Sequence, residues 1–175
     1  IKGMYVLSDN ESYDVRLLGS GAILREALKA KDILFKFKIK AQVWSVTSFN
    51  LLRKDGMEIE RYNQLNPSGK QKLTYVEECF SDSNVPVIAA TDYMRSYAEQ
   101  IRPYIHSSYT TLGTDGYGRS DSRQTLRDFF EVDSKSIARA AIYALYKNDK
   151  IDKNRIENYY KELGIDSNKP NPWEI

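Results

Sequence analysis

Four short runs, Val15 to Leu18, Gln42 to Val46, Val87 to Ala90 and Tyr109 to Leu112, are apolar or β-branched almost throughout and show little polar–apolar alternation. Strands covered on both faces read this way, because neither face meets water. Stretches with helical period stand between them. Strands that alternate with helices lead to a largely parallel sheet with helices on both faces. A fifth run, Met4 to Leu7, comes first. Its short connection to Val15 suits a hairpin, which makes the first strand antiparallel. The expected fold is α/β, a three-layer α/β/α arrangement with a five-stranded, mostly parallel sheet.

Ile23, Leu24, Ala27, Leu28, Leu34 and Phe35 recur at the 3.6-residue period, with Gly19 to Gly21 as a tight turn before them. Tyr93 to Ile101 is a second helical candidate, closed by Pro103. A third is expected to begin at Asp121, with Gln124 placed as the partner in a capping box. Ser134 to Lys147 has one apolar stripe through Ile137, Ala141 and Leu145, and Lys153 to Leu163 stops at Gly164. Residues 48–82 are charged and rich in Asn and Gln, with two weak helical patterns, Glu58 to Leu65 and Thr74 to Phe80. They read as a surface insertion. The tail, 167–175, holds two prolines and is expected to be extended.

At 175 residues the chain suits a single domain, 1–175. A net charge of +2 argues against nucleic acid, which calls for a concentrated basic stripe. The basic cluster from Lys29 to Lys40 alternates with Ile33, Leu34, Phe35, Phe37 and Ile39 and reads as a solvated helix end. No apolar run nears the ~20 residues that span a bilayer, so no membrane partner is expected. A lone Cys79 fits a reducing, cytoplasmic compartment. Beginning at Ile1 without methionine, the chain reads as a mature or excised fragment.

Most chemistry-bearing residues have a plain structural reading. Gly19-Ser20-Gly21 is half of a dinucleotide fingerprint, but Leu24 stands where the third glycine belongs. His106 with Ser107 and Ser108 lacks a nucleophile elbow and reads as a surface histidine. Glu77 and Glu78 beside Cys79 raise a thiol pKa instead of activating it. Asp9, Glu11, Asp14 and the pair Glu77 and Glu78 read as exposed turn acids, not as a cation site. No metal ligand, cofactor-binding residue or catalytic residue is assigned.

The loop from Gly113 to Asp121 carries the strongest functional signal. Gly113, Gly116 and Gly118 permit close backbone approach, and the loop leaves the last strand at its carboxyl end, where open parallel sheets place functional loops. Arg119 adds a planar donor fork, tied to a carboxylate such as Asp121 or Asp92 or facing an anion. Asp92, Gly113, Asp115, Gly116, Gly118, Arg119 and Asp121 form a candidate interface or anion-contact loop. Tyr93, Tyr97 and Tyr104, near helical spacing, form a packing face, either internal or a candidate docking face against another domain.

LGTDGYGRSD (112–121), AATDYMRSYAEQIRPYI (89–105), VWSVTSFNLLRKDG (43–56) and VRLLGSGAILREALKA (15–30) resemble the C-terminal domain of the homodimeric, thiamine-diphosphate-dependent pyruvate dehydrogenase family. The resemblance runs from about Gly3 to Asp149. DGYGRSDSRQTLRDFFEVD (115–133) is more loosely similar to the last domain of transketolases. The resemblance implies the transketolase C-terminal fold, a mostly parallel five-stranded sheet whose first strand is antiparallel. It also implies a parent enzyme that decarboxylates pyruvate on thiamine diphosphate and Mg²⁺, then acetylates the lipoyl group of an acyltransferase component. Its implied partners are the remaining domains of the same chain, a homodimer partner and that acyltransferase.

The family's cofactor motif begins Gly-Asp-Gly and ends in Asn-Asn. Thr114-Asp115-Gly116 is its nearest approach here, and no Asn-Asn pair occurs. The resemblance therefore transfers no catalytic residue and no cofactor to this chain. Two readings of different class follow. One is an accessory domain that assists assembly and dimer packing. The other is a free-standing α/β module that binds a small anion or nucleotide at Gly19 to Gly21 or Gly113 to Gly118.

Overall fold

The computed structural model describes residues 2–8 and 12–174. Five strands, β1 (Met4–Ser8), β2 (Val15–Ser20), β3 (Ala41–Val46), β4 (Val87–Ala90) and β5 (Tyr109–Leu112), form one sheet in the order β1-β3-β2-β4-β5. β2 pairs in parallel with β3 and β4, and β4 with β5. The first strand is antiparallel, as expected, but not through a hairpin. It pairs with β3, Met4 opposite Val46, and β3 lies between β1 and β2. Both edges of β2 are taken by parallel neighbours, so β1 completes its hydrogen bonds on the open edge of β3.

Successive side chains in a strand point to opposite faces, and the sheet builds two cores on that rule. Leu17, Val43 and Ile88 face one layer, packed against α1 (Leu24–Lys36) and α6 (Ser134–Lys147) through Ala27, Ala30, Leu34, Ala138, Ala141 and Ile142. Leu18, Trp44 and Ala89 face the other layer, covered by α2 (Phe49–Leu65), α3 (Tyr75–Cys79) and α4 (Arg95–Glu99). Two further helices, α5 (Arg123–Phe129) and α7 (Lys153–Leu163), extend the first layer with Leu126, Phe129, Tyr159 and Tyr160. This is the five-stranded α/β architecture expected from the strand runs.

The stretch 48–82 differs from its reading as a surface insertion. Phe49, Leu52, Val76 and Phe80 are buried in the second core. Ser48 caps α2, Thr74 and Glu77 form a capping box on α3, and the Asp55 carboxylate accepts the Tyr75 N–H at 2.7 Å. Its longest stretch exposed throughout is 64–73. The buried positions of α2 are so diluted by Arg53, Lys54 and Asp55 that the apolar face is faint in sequence.

Four helices end in the same way. Ile39, Val132, Lys150 and Ile165 each donate their N–H to the carbonyl five residues back, closing a Schellman turn. The left-handed residue inside each turn is Lys38, Glu131, Asp149 or Gly164. Only the last is the glycine that the geometry favours. The tail is not fully extended: Pro172–Glu174 forms a 3₁₀ turn, and the Lys169 ammonium donates to the Asp128 carbonyl at 2.6 Å and to its carboxylate at 3.1 Å.

Candidate functional site

The loop that follows β5 is anchored at its base. A Cβ on Gly113 would stand 2.7 Å from both Arg95 N and Tyr93 O, so only glycine lets the loop pass so close to the start of α4. The Thr114 N–H donates to Tyr93 O at 2.9 Å, and its hydroxyl donates to Asp92 O at 2.7 Å. Asp115 accepts the Arg95 N–H at 3.0 Å, and its second oxygen lies 3.3 Å from Arg95 Nε. The Arg119 guanidinium lies over the Phe129 ring, 4.6 Å from the centroid. Asp121 does not cap α5. Ser122 does, accepting the Thr125 N–H, while Asp121 accepts the Ser122 N–H.

Beyond Thr114 the chain turns at Gly116, φ +99°, and exposes Tyr117 almost completely. Between this tip, α5 and the start of α1 lies a cavity of about 480 Å³. Ile23, Leu126, Phe130 and Val132 line its floor, and Arg119, Arg123, Arg127 and Asp92 line its rim. The sequence reading named the loop but missed Arg123, Arg127 and Tyr117. Their signal was the four-residue spacing of Arg119, Arg123 and Arg127 next to an apolar helix face.

Behind the rim sits Glu26, a buried carboxylate on α1. It accepts from Lys29 Nζ and Arg127 Nη1, each at 3.0 Å, and from the Ser134 N–H at 3.1 Å. Burial opposes its ionisation. The Lys29 and Ser134 hydrogen bonds and the charges of Lys29 and Arg127 outweigh that, and the carboxyl lies below its usual range. One carboxylate therefore ties α1, α5 and the first turn of α6 together.

The candidate tyrosine face is only partly present. Tyr93 is exposed and Tyr97 half-buried, with ring centroids 5.2 Å apart. Tyr104 is a core residue, so close to α2 that a Cβ on Gly56 would fall 2.1 Å from its Cζ. At Gly19 a Cβ would lie 2.6 Å from Leu24 Cα, which accounts for that glycine by strand–helix packing. Gly21 turns the chain at φ +56°. His106 is largely exposed, its Nε2 3.0 Å from Glu77 Oε1. Burial, with some help from Glu78, pushes the Cys79 thiol up. Asp9 and Glu11 lie outside the described residues; Asp14 accepts the Lys40 N–H at 2.8 Å. Among the described residues no group of three or more metal-binding side chains occurs, and no helix is long and apolar enough to cross a membrane.

Comparison with known proteins agrees with this architecture. The chain is 50% identical to the pyruvate dehydrogenase E1 component of Pseudomonas aeruginosa over 179 residues, covering 99% of this chain. It is 43% identical to that of Escherichia coli strain K12 over 175 residues, covering 98% of this chain. It spans 20% of the length of each of these relatives. Among solved structures, transketolase from Leishmania mexicana superposes with a TM-score of 0.58 at 18% identity, over 83% of this chain and 18% of that one, a likeness of fold alone. Residues 3–133 match the transketolase-like TK C-terminal domain, and the chain belongs to that family.

Proposed function

We propose that residues 1–175 are one domain of a pyruvate dehydrogenase E1 component and assist its assembly and dimer packing without supplying the catalytic site. The observation that carries this is 50% identity to a pyruvate dehydrogenase E1 component across 99% of the chain. In this reading the parent enzyme decarboxylates pyruvate on thiamine diphosphate and Mg²⁺, held by other domains, and passes the acetyl group to a lipoyl acyltransferase. The protein's part in such chemistry is to position and polarise, while the cofactor supplies the electron sink. Tyr93 and Tyr97, paired on the surface beside β5, supply the apolar contact with a neighbouring domain or subunit.

The test is an exchange. This chain replaces the matching segment of the Pseudomonas aeruginosa enzyme, and pyruvate turnover and dimer mass are measured. Turnover within about tenfold of the parent, or ~1.4 kcal/mol in barrier, supports the reading. A stable dimer with no turnover at saturating cofactor refutes it. The isolated chain is expected to show no heat of binding with thiamine diphosphate and Mg²⁺, and micromolar binding would move the cofactor site into this domain.

A further inference from the structure

We propose that the cavity beside the glycine loop binds a small organic anion, a flat ring carrying a phosphate or carboxylate group. The anion is gripped by Arg123 with Arg119, and the ring is covered by Tyr117. The proposed role in E1 makes no use of this cavity. At about 480 Å³ it has the size of a small-molecule site. Its floor is apolar, and its rim brings three guanidinium groups against the single carboxylate of Asp92.

The arginines are not equivalent. Arg127 is committed to Glu26 at 3.0 Å, so its charge is largely neutralised and its position fixed. Arg119 lies over the Phe129 ring, 4.6 Å from its centroid, a contact that helps to place its fork. Arg123, exposed at the first position of α5, has no carboxylate partner among the described residues. It is the donor with capacity to spare, and a planar fork suits the paired oxygens of phosphate and carboxylate.

Tyr117 supplies the cover. It is 93% exposed on the cavity's rim. Gly116 before it has φ +99°, and a Cβ on Gly118 after it would meet nothing within 4 Å. The base of the loop is fixed through Thr114 and Asp115, and glycines flank Tyr117, so changes in their backbone angles swing the tip without disturbing the anchor. An aromatic ring on such a hinge, over an apolar floor, closes on a flat ligand and stacks with it.

The experiment titrates the full chain with phenyl phosphate, benzoate and inorganic phosphate, following backbone amide shifts by NMR. Saturable binding of phenyl phosphate or benzoate, with the Gly116 and Gly118 amides shifting, is expected. The two probes distinguish a phosphate from a carboxylate as the preferred group. Arg123→Ala should weaken binding about tenfold or more, and Arg123→Lys less, because the point charge remains. Tyr117→Ala should weaken it about three- to fivefold. Arg53→Ala, on α2 at the other face, should leave it unchanged. Both Arg123 and Tyr117 are exposed, so melting curves of their variants should match the parent. No saturable binding of either aromatic probe overturns the proposal. So does inorganic phosphate binding as tightly as phenyl phosphate, or affinity that survives Arg123→Ala. None of these outcomes depends on pyruvate turnover, so failure here leaves the proposed role in E1 standing.

Discussion

On one face of the sheet, two long helices, α1 and α6, meet the strands through alanines and branched aliphatics, and the layer is almost wholly apolar. On the other face one long helix and two short ones do the same task with Trp44, Phe49, Phe80, Tyr104 and Tyr109. That second face also encloses Arg16 on β2, a fully buried guanidinium that donates to the carbonyls of Asp82 and Val85 and to the Tyr13 hydroxyl. Arg16 lies between the Tyr13 and Phe80 rings, about 5 Å from each, and no carboxylate among the described residues pairs with it. Small side chains let long helices approach closely and leave little room for adjustment. Aromatics and short helices fill irregular space and bring polar atoms that must find carbonyl partners.

The largest effects should come from deleting buried volume. Ile142→Ala on the alanine-lined face is expected to cost about 3–5 kcal/mol, because closely packed α1 and α6 cannot collapse into the hole. Leu52→Ala on the aromatic face should cost about 2–3 kcal/mol, since α2 has short, adjustable neighbours. Chemical denaturation of both variants measures the difference. Equal losses would break the contrast.

Next comes Gly56→Ala. In an exposed helix this change stabilises by about 1 kcal/mol. Here the added methyl overlaps the Tyr104 ring, and a net loss of about 1–3 kcal/mol is expected. Combining it with Tyr104→Ala should remove most of the clash, so the double variant should lose less than the two singles together.

Glu26 serves as the polar fastener of the otherwise dry face, and Glu26→Gln should cost about 1–3 kcal/mol at neutral pH. Its carboxyl lies below the usual range in the folded state, despite burial, because of Lys29, Ser134 and Arg127. A depressed folded pKa adds stability that is fully present above the unfolded value, about 4.3, and is lost as pH falls through the folded value. The gap between parent and Glu26→Gln should therefore shrink below about pH 4. A gap constant from pH 7 down to pH 3 would show that the side chain acts by shape alone.

The smallest effect expected is a gain. Lys38 holds φ +60° at the end of α1, and Lys38→Gly should stabilise by about 1 kcal/mol. Thermal melting reads it. No gain would mean that the lysine side chain offsets its own backbone strain.

The contrast between the faces also separates what was legible in the sequence from what was not. α1 and α6 repeat Ala, Leu and Ile at helical spacing, so their layer could be written down in advance. α2 and α3 bury three or fewer residues each among charged neighbours, and that region read as an insertion although it closes the second core. The loop at Gly113 was legible because three glycines mark it. The arginines that share its cavity were not, because Arg123 and Arg127 look like ordinary solvated helix positions until α5 is folded back beside Ile23.

From its own pattern the chain determined four buried strands and a fifth, exposed one before them, the helices between them and the position of the glycine loop, because burial on both faces and the 3.6-residue period are local properties. Tertiary structure alone decided that β1 pairs with β3, that Tyr104 lies in the core under Gly56, and that Glu26 collects partners from α5 and α6. Each of these depends on residues far apart in sequence. Their energies exist only once the sheet has brought those residues together, and no local pattern specifies which open edge, cavity or unpaired donor will be nearest.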